Sequence, residues 1–221
     1  MNFKRRDLLI VIGAGVLIFG GAIAHFAWNR DGASAASSGL SLTDLTVPGP
    51  LGDRVLGKDD APVTIIEYAS LTCPHCQHFE LTTFPELKKR YIETGKVRYI
   101  FREFVLNELD ALAIMLARCA DKDKYFPFVE TLYATQEQWA VQNAIPPLMA
   151  IAKQVGFTED SFKKCASNQQ LFDGIAAQRD RASQNFGVSS TPTFFINGEM
   201  RSGDLPMDEL EKLIKPYLKG E

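Results

Sequence analysis

Val63-Thr-Ile-Ile-Glu-Tyr-Ala69 runs through Ser70, Leu71 and Thr72 into Cys73-Pro74-His75-Cys76. The first seven residues are rich in β-branched and aromatic types, the mark of a buried strand. From Cys73 a helical stretch continues to about Tyr91, and Lys96-Val-Arg-Tyr-Ile-Phe101 reads as a second strand. Strand, helix and strand in this span make a βαβ unit, which implies a parallel pair joined by a right-handed crossover. Two cysteines therefore sit where a strand hands over to a helix.

Beyond this unit the pattern changes. Leu109, Leu112, Leu116 and Cys119 fall at helical spacing, as do Leu148, Ile151, Ala152 and Val155, and then Leu171, Ile175, Ala182 and Phe186. Breaks come at Pro127, Pro146-Pro147 and Gly156, so residues 107–185 read as an all-helical insertion. Thr193-Phe-Phe-Ile196 is then a strand, Asn197-Gly198 a strong hairpin-turn signal, and Met207 to Leu218 an amphipathic helix. The expected class is α/β, with the helical insertion set between the βαβ unit (residues 56–106) and a C-terminal hairpin and helix (residues 186–221).

On the N-terminal side, Lys4, Arg5 and Arg6 precede an uncharged apolar run from Leu8 to about Ala27, followed by small residues with Ala33 and Ala35 in A-x-A spacing. Residues 1–35 thus read as a signal peptide or, since about 20 apolar residues can span a bilayer, as a membrane anchor over residues 8–27. Arg5-Arg6 also allows a twin-arginine signal. Either reading exports the rest of the chain, because the positive residues stay in the cytoplasm. Residues 36–55, rich in small and polar types, read as a linker. The whole chain has 221 residues, 46% hydrophobic and 23% charged, which excludes disordered and collagenous classes. A net charge of −3 argues against a general nucleic-acid binder. Four cysteines are too few to staple so long a chain, and each pair needs its own explanation.

For Cys73 and Cys76 that explanation is redox chemistry. An i, i+3 pair across a helix start brings two sulfurs within bonding distance, and Pro74 suits the first helical position, where its missing N–H costs nothing. The helix N-terminus stabilises a Cys73 thiolate, and a protonated His75 adds to this. A stable thiolate leaves easily, so its disulfide is oxidising. The alternatives are an inert disulfide or a half zinc site with His78 as third ligand, although no second C-x-x-C or H-x-x-x-H pair exists. Glu67 interrupts an apolar strand six residues before Cys73. Buried there, its carboxyl would titrate high and could relay protons to Cys76; on a solvated edge it would do nothing. Cys119 and Cys165, in an oxidising compartment, read most simply as a structural disulfide worth roughly 4 kcal/mol. Two buried free thiols, or a second redox pair, are the other readings. The aromatic segment Tyr125, Phe126 and Phe128 is core or the wall of a substrate groove, and Asp121 to Lys124 a solvated turn.

Cys73-Pro74-His75-Cys76 after a strand, with Thr191-Pro192-Thr193-Phe194 late in the chain, resembles the DsbA family of exported thiol–disulfide oxidoreductases. Leu56 to Val63 and Phe101-Arg-Glu-Phe104 resemble its bacterial branches, and the likeness runs over roughly residues 50–218. It implies a thioredoxin-like fold, a cis peptide before Pro192 facing the cysteines, and Thr191 offering its backbone to an extended substrate. An acidic residue at the place of Glu67 is also a family feature. Thr191 departs from the Val of several family oxidases and matches isomerase-like relatives.

The expected function is donation of the Cys73–Cys76 disulfide to reduced secreted proteins in the periplasm or another extracytoplasmic space, with no metal or organic cofactor. The resemblance implies reoxidation by a quinone-linked membrane partner of the DsbB type. A monomer is expected, since residues 36–56 hold no separate dimerisation domain. The rivals are an isomerase or reductase using the same site, and a dithiol that binds Cu(I).

Overall fold

The computed structural model of the protein describes residues 40–218; the expected signal peptide or anchor lies outside the described residues. Five strands make one sheet in the order β1-β3-β2-β4-β5: β1 (Arg54–Leu56), β2 (Val63–Ala69), β3 (Val97–Glu103), β4 (Thr193–Ile196) and β5 (Glu199–Ser202). β2 and β3 are the parallel pair, with Glu67 opposite Phe101, and every other pairing is antiparallel. Asn197 and Gly198 turn the β4–β5 hairpin with φ of 46° and 96°. A two-residue turn of this hand matches the twist of its strands. The Asn197 side chain also accepts the Thr64 N–H at 2.7 Å, tying the turn to β2.

Alternation along the three inner strands divides the core. Ile65, Tyr99, Phe101 and Phe194 face one side, where α2 (Pro74–Thr82) and most of the helical insertion cover them. Ile66, Tyr68, Ile100 and Phe195 face the other, against Leu45, Ala182 and Phe186. The helical stretch after Cys73 is interrupted: α2 ends at Thr82, α3 spans Phe84–Leu87, and a π-turn follows over Lys88–Ile92. The insertion comprises α4 (Glu108–Cys119), α5 (Tyr125–Ala134), α6 (Gln136–Trp139), α7 (Ile145–Gln154), α8 (Glu159–Ala166) and α9 (Gln169–Phe186). Tyr125 and Phe128 are fully buried core, whereas Phe126 is partly exposed. The last helix, α10 (Met207–Ile214), gives way to a 3-10 turn, Lys215–Tyr217, at Pro216.

The stretch expected as a linker is corrected in part. Leu42–Thr46 forms a short helix, α1, and Arg54–Leu56 joins the sheet. Leu45 is fully buried, and the Arg102 guanidinium donates to the Leu45 and Val47 carbonyls at 2.8 and 3.0 Å. One apolar side chain and one distant arginine fix a segment whose Ser, Gly and Pro content reads as loose. Among the described residues no helix is long and apolar enough to cross a membrane.

Candidate active site

Cys73 is the N-cap of α2 and Pro74 its first residue, so the free N–H groups of the first turn surround the Cys73 sulfur. Both cysteines are free thiols; Cys73 is 7% exposed and Cys76 1%. The Cys73 thiol pKa is pulled down to about 5, first by the hydrogen bond from the Cys76 thiol. Burial opposes this, while the Thr191 side chain and the backbone N–H groups of Cys76 and His75 add to it. Cys76 moves the opposite way, well above an ordinary thiol, because burial and its role as donor to Cys73 both penalise its thiolate. The His75 imidazole is exposed, and it is the His75 backbone that serves the sulfur.

The Thr191–Pro192 peptide is cis. It brings Thr191 O within 3.3 Å of Cys73 Sγ, where the protonated thiol donates to it. Pro192 O accepts the Gly203 N–H at 2.9 Å, which fixes the loop from the hairpin side. Glu67 lies on the central strand β2 and is 1% exposed, so it is not an edge residue. Burial raises its pKa to about 8; the hydrogen bond from the Tyr99 hydroxyl pulls against this, and the charges of Cys73 and Asp204 add to it. At neutral pH Glu67 therefore carries a proton beside two sulfurs with opposite titration. His78, the possible third zinc ligand, is exposed on α2 and pairs with Asp204 beyond β5.

Several residues of the site carry no local sequence signal. Tyr99 is one, visible only once β3 pairs with β2. Glu80 is a second buried carboxyl on α2, raised well above its ordinary value by burial and by Glu67 and Glu130, against Lys88. The loop before Cys73 is gripped by the insertion. Tyr133 donates to Ser70 O at 3.1 Å, Gln136 to Leu71 O at 2.8 Å and to Cys73 O at 3.2 Å. Asp110 accepts the Leu71 and Leu106 N–H groups, each at 2.8 Å, and burial lifts its pKa to about 6. These partners lie 30 residues or more from the loop, where no spacing rule reaches.

Cys119 and Cys165 form a disulfide between the end of α4 and α8, with Cα atoms 6.2 Å apart. The start of α4 touches the active-site loop through Asn107, which donates to Thr72 Oγ1 at 3.1 Å. Cys119 lies at the far end of that helix, about 18 Å along its axis. The structure does not bring the two cysteine pairs together.

A strand-to-helix dithiol, split in acidity and opposed by a cis-proline, on a five-stranded sheet with helices on both faces, defines the class: a thioredoxin-fold protein equipped for thiol–disulfide exchange. A family model described as Thioredoxin matches residues 51–216. A Rickettsia bellii protein named "Putative protein-disulfide oxidoreductase" is 36% identical over 148 residues, 66% of this chain and 57% of that protein. The chain thus spans less than two thirds of that relative's length. Disulfide bond formation protein D of Bacillus subtilis is 28% identical over 179 residues, 79% of this chain and 81% of that one. The crystal structure of Wolbachia pipientis alpha-DsbA1 superposes with a TM-score of 0.73 at 32% identity, covering 79% of this chain and 94% of that one. The chain belongs to the DsbA family.

Proposed function

We propose that the protein is an extracytoplasmic disulfide donor that oxidises reduced secreted proteins through Cys73 and Cys76. One observation carries this reading: the outer sulfur is held as a thiolate down to a pH of about 5, while its partner is held protonated. A substrate thiolate attacks Cys73 of the disulfide form, the Cys73–Cys76 bond breaks, and Cys76 departs, taking the proton that Glu67 holds. A second substrate thiolate attacks the substrate sulfur of the mixed disulfide and expels the Cys73 thiolate. Because that thiolate is stable, the last step runs downhill. Thr191, beside the cis-proline, offers the backbone against which an extended substrate pairs. A quinone-linked membrane partner of the DsbB type would accept the two electrons and restore the disulfide.

The direction of electron flow is tested by equilibrating the protein from Ala36 onward with glutathione. A reduction potential between about −120 and −180 mV supports the donor, the lower figure in magnitude being that of DsbA itself. A value near −270 mV or below overturns it and makes Cys73 a reducing nucleophile.

A further inference from the structure

Gln136 is one of the buried polar side chains of the site to which the exchange steps above give no role. Gln136 opens α6, is 5% exposed, and places its Nε2 between two backbone carbonyls of the active-site loop, Leu71 O at 2.8 Å and Cys73 O at 3.2 Å. The second contact matters because of the residue that follows Cys73. Proline supplies the nitrogen of the Cys73–Pro74 peptide, so this peptide has no N–H and its carbonyl is the one polar handle by which it can be held. That carbonyl accepts the first helical bond, from Gln77 N at 3.0 Å, and the Gln136 amide from outside the helix.

The orientation of this peptide sets the aim of the next two N–H groups. Those of His75 and Cys76 serve the Cys73 sulfur. A rotated plane would carry the Cys73 carbonyl dipole toward a thiolate, which repels it, and turn the donors away. The neighbouring clamps act elsewhere on the loop: Tyr133 holds Ser70 O, and Asp110 holds the Leu71 N–H. Gln136 is itself held in place, because its segment is fastened to α2 by Gln77 Nε2, which donates to Tyr133 O at 2.9 Å.

We propose that Gln136 is a positioning residue of the thiol site, its amide fixing the Leu71 and Cys73 carbonyls so that the first N–H groups of α2 stay aimed at the Cys73 sulfur. The insertion then does more than cover the sheet; through α6 it sets the acidity of a thiol on another element. This rests on the reading of Cys73 and Cys76 as the redox pair.

The test is Gln136→Met, which keeps the length of the side chain and removes both donors. In the reduced protein the Cys73 thiolate is titrated by its ultraviolet absorbance, and the glutathione equilibrium is measured alongside. The midpoint should rise by about one unit, and the equilibrium should shift about tenfold toward the protein disulfide, the loss of one hydrogen bond to a group that supports a charge. Tyr133→Phe, which frees Ser70 O alone, should leave both where they are. Should the Met variant fail to fold, Gln136→Leu decides: it too removes both donors and adds no charge, so the midpoint must rise. A folded variant with an unchanged midpoint overturns the proposal, as does a Tyr133→Phe shift of equal size. Failure of the underlying reading looks different, since the wild type itself would then form no Cys73–Cys76 disulfide with glutathione while its thiolate titration remained readable.

Discussion

At the scale of single residues, the two sulfurs of one short motif differ because their surroundings differ. Cys73 receives donors, and Cys76 is the donor, buried beneath it. A leaving group that titrates so high needs a proton as it departs, and Glu67 holds one until the pH passes about 8. Glu67→Gln keeps the shape of the side chain and the bond to Tyr99 while removing the transferable proton. The first step of disulfide donation, followed by stopped flow with glutathione and divided by the thiolate present, should slow about 100-fold, at the lower end of general acid catalysis. In the wild type this corrected rate should fall as the pH rises through the Glu67 value of the disulfide form, which lies below the value of about 8 in the reduced protein because no Cys73 charge is present. The Gln variant should show no such limb. Rates within twofold of wild type, with the limb retained, would remove Glu67 from the proton path.

At the scale of elements, the insertion is fastened to the sheet by a buried ionic knot rather than by apolar packing alone. Glu103, the last residue of β3, is held by Arg118 of α4 at 2.5 and 2.6 Å, by the Tyr125 hydroxyl of α5 at 2.6 Å and by Gln178 of α9 at 2.8 Å. Burial pushes the Glu103 carboxyl up, and Arg118 and Tyr125 together bring it below the ordinary carboxylate value. Arg118→Met leaves that carboxylate buried without its counter-charge and should cost about 3–5 kcal/mol in urea unfolding. A loss below about 1 kcal/mol would mean that the pair contributes little beyond what apolar packing supplies. Of the elements joined by this knot, α4 and α9 were legible in the sequence from their apolar stripes and β3 from its β-rich run, whereas α5 was not set apart within the insertion. The knot was not legible, since Glu103 draws its partners from 15, 22 and 75 residues away. The same divide runs through the site. Cys73, Cys76 and Glu67 announce themselves by spacing or by a charge out of place, whereas Tyr99, Asp110, Gln136 and Glu80 look like ordinary members of their helices and strands. Leu45 and its segment were misread for the matching reason: local composition says nothing about an arginine on β3.

At the scale of the whole molecule, the acidity of one thiol couples redox state to stability. In the disulfide form neither cysteine titrates, so the stability gap between reduced and oxidised protein follows the Cys73 proton. The folded value near 5 lies below the ordinary 9, so between these limits the unfolded reduced chain binds a proton that the folded one does not. Stability of the reduced form therefore rises with pH across this window; the gain is complete above 9 and lost as the pH falls through 5. Glu67 has the opposite sign, because its value is raised from 4.5 to about 8, and its contribution is lost as the pH climbs through that range. It is present in both redox forms and largely cancels in the gap, except for the part due to the Cys73 charge, which narrows it. The reduced-minus-oxidised gap in urea unfolding should accordingly widen by roughly 2–3 kcal/mol between about pH 5 and pH 8. The same proton fixes the electrochemistry. Above pH 5 the dithiol forms with two electrons and one proton, so the reduction potential should fall by about 30 mV per pH unit, half the slope of an ordinary dithiol. A slope near 60 mV across pH 5.5–8, with a constant stability gap, would show that Cys73 keeps its proton and that the sulfurs are not divided in the way the site geometry requires.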